Sequence, residues 1–183
     1  MKQNLEEKTI ATQKIFTGKV IDLQVDDVLL PNGNVSKREI VTHPGAVAVM
    51  ALNEEDKLVL VRQFRKALEK TILEIPAGKL EKGEDPMDSA RRELEEETGY
   101  QAGRLEEVVS FYTSPGFADE KIHLYWATGL QRGTRNPDED EFVELVELTM
   151  EECFKRIETG EICDAKTIFA VYYWKNRVEA GNE

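Results

Sequence analysis

The chain has 183 residues, 40% hydrophobic and 33% charged, the balance of an ordinary globular protein, and enough length for one domain, or one with an appendage, around a sizeable core. With 36 acidic against 24 basic residues the formal charge is -12, which argues against nonspecific nucleic-acid or membrane-surface binding, since either wants a basic patch. No apolar run approaches a membrane span, MKQNLEEKTIATQK has no signal-peptide core, and Cys153 and Cys163 offer neither a disulfide framework nor a metal spacing, so a cytoplasmic protein is expected.

Residues 1 to about 13 are polar and read as frayed. From Lys14 to about Val41 the chain reads as antiparallel β-structure, with Ile21, Leu23 and Val25 alternating and Pro31-Asn32-Gly33-Asn34 as a hairpin turn. Strands this few are marginal alone and must pack on the rest of the chain or on a second copy. His43-Pro44-Gly45 breaks the pattern. Strands are then expected at Ala46–Leu52, Leu58–Arg65 and Thr71–Gly78, the last leading into a loop before a helix.

Asp85 is placed to cap that helix, Pro86 suits its first turn, Asp88 sits where a capping-box acid would, and Gly99 is placed to end it in the left-handed conformation. At about 100° per residue, Met87, Ala90 and Leu94 share one buried face. Glu93 and Glu97 lie side by side at its edge, Glu96 flanks them and Glu95 points away. Like charges this close repel. The cluster is either a solvated acidic face or the seat of a hard divalent cation, which takes oxygen ligands.

Strands follow near Gly103–Tyr112 and Lys121–Thr128, separated by the loop from Thr113 to Glu120, and another at Phe142–Leu148 after the acidic run Pro137-Asp138-Glu139-Asp140-Glu141. That run is either a solvated loop or a supplier of carboxylates to the acidic helix. Two helices finish the chain. Thr149 caps the first, which carries Cys153, Phe154 and Ile157 on one face. Asp164 caps the second, whose Ala165, Ile168, Phe169, Tyr172 and Tyr173 form an apolar stripe. Strands, helix, strands and helices in this order suit an α/β fold with a mixed sheet between helices.

From Gly78 to Tyr100 the sequence fits the pattern G-x5-E-x7-R-E-U-x-E-E-x-G-U, U being bulky and apolar, at each specified position: Gly78, Glu84, Arg92, Glu93, Leu94, Glu96, Glu97, Gly99 and Tyr100. The chain thereby resembles the Nudix hydrolases. The resemblance implies an α/β/α sandwich over 43–183 preceded by a β segment at 1–42, and Mg2+- or Mn2+-dependent cleavage of a nucleoside diphosphate linked to another moiety. It implies metal ligation by Glu93, Glu96, Glu97 and the carbonyl of Ala77, with Glu96 among the catalytic acids and Arg92 paired to Glu84.

Within the family, Pro115, sixteen residues beyond Gly99 in Ser114-Pro115-Gly116, resembles the mark of ADP-ribose pyrophosphatases, although Pro-Gly is also a common turn pair. That resemblance implies hydrolysis of ADP-ribose to AMP and ribose 5-phosphate, with Glu139 or Glu141 as general base. It further implies Arg65 on phosphate, and a homodimer whose N-terminal strands swap, bringing Arg38 and Glu39 to the partner's site and Phe16 onto adenine. Another nucleoside diphosphate sugar such as GDP-mannose is the alternative substrate. A non-hydrolytic ADP-ribose sensor fits less well, because every acid of the pattern is kept.

Overall fold

The computed structural model describes residues 4–135 and 142–181. The chain forms two compact units, Met1–Gly45 with Tyr112–Lys121, and Ala46–Phe111 with Ile122–Glu183.

The first unit is built on an antiparallel sheet of β1 (Lys8–Thr17), β2 (Asp22–Leu29) and β3 (Val35–Thr42) in that order. The β2–β3 turn forms as its residues dictate: Gly33 takes a φ of +84°, and Leu30 exchanges backbone hydrogen bonds with Gly33 and Asn34. The strand β1 begins at Lys8, inside the segment expected to fray. All ten of its residues are exposed, and backbone pairing to β2 orders them rather than burial, so no hydrophobic alternation announces the strand. The loop at 113–120 belongs to this unit: Val41 donates to Phe117 O at 2.8 Å, and Asp119 N and Oδ1 bond the backbone of Val41 and His43.

The second unit is organised on β4 (Ala46–Ala51), which lies between β10 (Lys121–Thr128), running parallel, and β7 (Ala77–Lys79), running antiparallel, with β9 (Arg104–Tyr112) beyond β10. Because side chains alternate along a strand, β4 feeds two cores. Ala46, Ala48 and Met50 pack with Leu124 and Trp126 toward α2 (Met150–Thr159) and α3 (Ala165–Glu179), while Val47, Val49 and Ala51 pack with Tyr125 and Ala127 toward Ala90 and Leu94 of α1 (Pro86–Thr98). A strand covered on both faces has no polar alternation, which is why Ala46–Leu52 reads as a continuous apolar run. The unit is the expected mixed sheet between helices.

A second sheet runs β12 (Glu144–Leu148), β5 (Leu58–Arg65), β6 (Lys70–Glu74), all antiparallel, and the short β8 (Tyr100–Gln101) and β11 (Gln131–Arg132) pair beside α1. The expected single strand Thr71–Gly78 is two: it leaves the β5 sheet at Glu74, turns at Ile75-Pro76 and joins β4 as β7. Pro76 has no N–H for a ladder, while its carbonyl still accepts from Val49 N at 2.8 Å. The N-caps at Asp85, Thr149 and Asp164 form as read; Thr149 and Glu152 complete a capping box and Asp164 accepts from Thr167 N, whereas at α1 Asp85 caps and Asp88 closes no box. Two expected faces are corrected. Met87 is 38% exposed, because it lies in the first turn of α1, and the core face of α3 is Thr167, Ala170, Val171 and Trp174, leaving Phe169 and Tyr172 exposed. Ile168 and Tyr173 of the expected stripe pack partly against the same core, while Phe169 and Tyr172 turn away from it.

Candidate active site

The helix α1 is set by its ends. Asp85 accepts from the N–H groups of Met87 and Asp88, Pro86 opens the first turn, and Gly99 closes the last with a φ of +74°. Leu94 and Ala90, fully buried, fix its rotation. Glu93 and Glu97 are thereby carried inward, 9% and 2% exposed, whereas Glu95 faces outward and accepts from Gln101 Nε2. The side-by-side reading of Glu93 and Glu97 with Glu95 apart is the geometry found.

Burying carboxylates is costly unless polar groups or cations compensate. Glu97 Oε2 accepts from Ala77 N at 3.1 Å, which ties α1 to the first residue of β7. Glu93 lies against the next residue. A Cβ built on Gly78 would fall 1.8 Å from the Glu93 carboxyl carbon and 1.9 Å from Oε1, so only glycine leaves the space that the carboxylate fills. Arg92 serves the remaining acids with its whole fork: Nε and Nη2 donate to the two oxygens of Glu84 at 3.1 and 3.2 Å, and Nη1 donates to Glu93 Oε1 at 2.8 Å and Glu96 Oε2 at 2.9 Å. Chiefly by that paired hydrogen bond, Arg92 holds the Glu84 carboxyl below its ordinary range, while the acids raise Arg92 further above its own.

Glu84, Glu93, Glu96 and Glu97 set four formal negative charges against the single positive charge of Arg92. Among the described residues no three His, Cys, Asp or Glu side chains converge on one point, and Arg92 Nη1 stands between Glu93 and Glu96. The donors nevertheless fit a hard divalent cation. They are oxygens, they carry excess negative charge, and one of them occupies a cradle that a Cβ would fill.

Beyond α1, the unit places Arg65 at the end of β5, its Nε 2.5 Å from Glu74 Oε2. Glu139 and Glu141 lie outside the described residues. Their flanks do not: Arg135 Nε donates to Glu97 O at 2.8 Å and its Nη2 donates to Val143 O, so both sides of residues 136–141 are tied to the carboxyl end of α1. In the other unit, Arg38 makes a two-point pair with Glu7 at 2.7 and 2.6 Å, Glu39 pairs across from Val25, and Phe16 and Pro115 are exposed. Sequence reasoning missed Arg135, Glu74 and Lys166. Two of them left a trace: Glu74 interrupts an apolar strand, and Lys166 puts a cation in the first turn of a helix, where the macrodipole disfavours it.

The NUDIX domain family profile matches residues 42–170. The chain is 60% identical over 173 residues to an ADP-ribose pyrophosphatase of Bacillus subtilis (strain 168), covering 93% of this chain and 94% of that one. It is 62% identical over 170 residues to a methanol dehydrogenase activator of Bacillus methanolicus, covering 92% of each. A crystal structure of an ADP compounds hydrolase superposes with a TM-score of 0.86 over the whole of both chains at 20% identity, a likeness of fold.

Two substitutions test the geometry. Gly78→Ala should leave the melting temperature nearly unchanged, since the atom it meets ends a flexible side chain, yet lower turnover about a hundredfold by displacing Glu93; unaltered turnover would sink the cradle. Because Glu84 is held below its ordinary range, the stability it contributes is present above about pH 4.3 and fades as pH falls through its folded value. Glu84→Gln should therefore be less stable than wild type in urea at neutral pH, with the gap closing in acid; a gap that is constant with pH defeats the assignment.

Proposed function

The chain belongs to the NUDIX domain family of pyrophosphohydrolases, and we propose that its substrate is ADP-ribose, cleaved at the pyrophosphate to AMP and ribose 5-phosphate. The observation that carries this is the 60% identity to an ADP-ribose pyrophosphatase along nearly the full length of both chains, joined to the acids of α1, two of which, Glu93 and Glu97, are buried.

The mechanism assigns Glu93, Glu96 and Glu97, with the carbonyl of Ala77, to hold Mg2+ or Mn2+. When bound there, such an ion would polarise phosphoryl oxygens and lower the pKa of a coordinated water. The chain's own residues do the rest. Arg92, anchored on Glu84, keeps Glu93 and Glu96 from swinging apart, and Ala77 N–H orients Glu97. Arg65 offers guanidinium donors to the phosphates. Glu139 or Glu141 takes the proton of the attacking water.

A homodimer is part of the same proposal. Ile10, Ile15 and Phe16 of β1 are 53%, 49% and 56% exposed, apolar side chains on an edge strand that a second copy would cover. Arg38, Glu39, Phe16 and Pro115 would then act in sites lined by both subunits. No helix among the described residues is long and apolar enough to cross a membrane. A second role, favoured by the 62% identity to a methanol dehydrogenase activator, is stimulation of a methanol dehydrogenase.

One set of assays tests the substrate. With Mg2+, ADP-ribose should be turned over faster than GDP-mannose, NADH or a nucleoside triphosphate, and Glu97→Gln should lose about a hundredfold or more while keeping its fold. Faster turnover of GDP-mannose would replace the substrate; an active Glu97→Gln would remove that ligand. Adding the protein to methanol dehydrogenase and following methanol oxidation tests the second role, which an unchanged rate rejects. Sedimentation of the intact protein should give twice the 20.9 kDa chain mass, and a monomer would end the shared-site reading.

A further inference from the structure

The end of β6 carries a charge cluster that the α1 acids do not use. Glu74 is 3% exposed, yet Oε1 accepts from Lys166 Nζ at 2.5 Å and Oε2 from Arg65 Nε at 2.5 Å. Lys166, 9% exposed, reaches Asp164 Oδ1 at 3.0 Å, and Asp164 also caps α3 through Thr167 N. One residue along, Ile75 N–H donates to Thr167 Oγ1 at 3.0 Å. The first turn of α3 thus grips two successive residues of the chain that leads to Ala77 and Gly78.

Two carboxylates and two cations cancel formally, the condition under which buried charge persists. Stability alone is a poor reason for such a cluster, since apolar packing of similar volume is often as good. Its effect on Arg65 is directional. The Arg65 side chain is 40% exposed and is held through Nε; its Nη groups have no hydrogen-bond partner among the described residues. Were Glu74 free to rotate, the usual fork-to-fork pairing would turn those donors inward. Lys166 on the other oxygen opposes that rotation.

We propose that Lys166 and Glu74 are positioning residues for substrate phosphate: Lys166 fixes the Glu74 carboxylate, and Glu74 holds the Arg65 guanidinium side-on with its Nη donors outward. The inference rests on the reading of the protein as a pyrophosphohydrolase in which Arg65 meets phosphate. Its test is steady-state kinetics on ADP-ribose with Mg2+, alongside thermal melts, for wild type, Lys166→Met, Lys166→Arg, Arg65→Lys and the Lys166→Met/Arg65→Lys double variant. Lys166→Met should raise KM about tenfold with kcat within about threefold, Lys166→Arg should recover much of that, and the double variant should be no worse than Arg65→Lys. If Lys166→Met fails to fold, Glu74→Gln takes its place with the same expected rise in KM. A lowered melting temperature with unchanged KM, or effects that multiply in the double variant, overturns the inference while leaving the hydrolase reading intact. Turnover of a different pyrophosphate moves the same measurement to that substrate, and no turnover of any pyrophosphate by wild type overturns both.

Discussion

The site depends on two carboxylates of one helix being taken out of water. Glu97 meets the N–H of Ala77, Glu93 lies where a Cβ of Gly78 would be, and Arg92 gathers the flanking acids. Each of these contacts requires α1 to sit at one height and one rotation against β7. The N-cap at Asp85, the left-handed turn at Gly99 and the buried Ala90 and Leu94 supply that placement. Helix ends, sheet pairing and charge are therefore parts of a single constraint, and the rest of the second unit can be understood as what holds α1 and β7 in register.

Much of this is legible in the sequence because the physics is local. Caps, Pro at the helix start, the four-residue spacing of Glu93 and Glu97, and the strand that becomes β10 all rest on residues close together in the chain. The misses come from contacts distant in sequence or from backbone pairing. The strand β1 carries no burial pattern, the Ile75-Pro76 corner depends on which sheet each half joins, and the phase of α3 is set by the small residues that fit the sheet. The Glu74–Lys166 pair spans 92 positions and shows in sequence only as two charges in unfavourable places. The general base is a different case, since Glu139 and Glu141 fall outside the described residues.

A strongly acidic protein that handles a dianionic linkage needs cations where the substrate lies. Many of its lysines and arginines are already engaged by acids. Lys37, Lys57 and Arg156, for example, are each paired with a nearby acid. Net charge thus describes the exterior and long-range field, and says nothing of how a single guanidinium such as that of Arg65 is oriented by a buried acid.

The fork of Arg92 also limits which sequences can keep this site. Its Nε and Nη2 face Glu84, while Nη1 faces Glu93 and Glu96. A lysine would bring the same charge, but an ammonium is one point at the end of a flexible stem and cannot stand in two places at once. Substitution there is therefore judged by reach and planarity before charge. An exchange of arginine for lysine, harmless on most surfaces, would cut a mechanical link between the loop at Glu84 and the helix at Glu96.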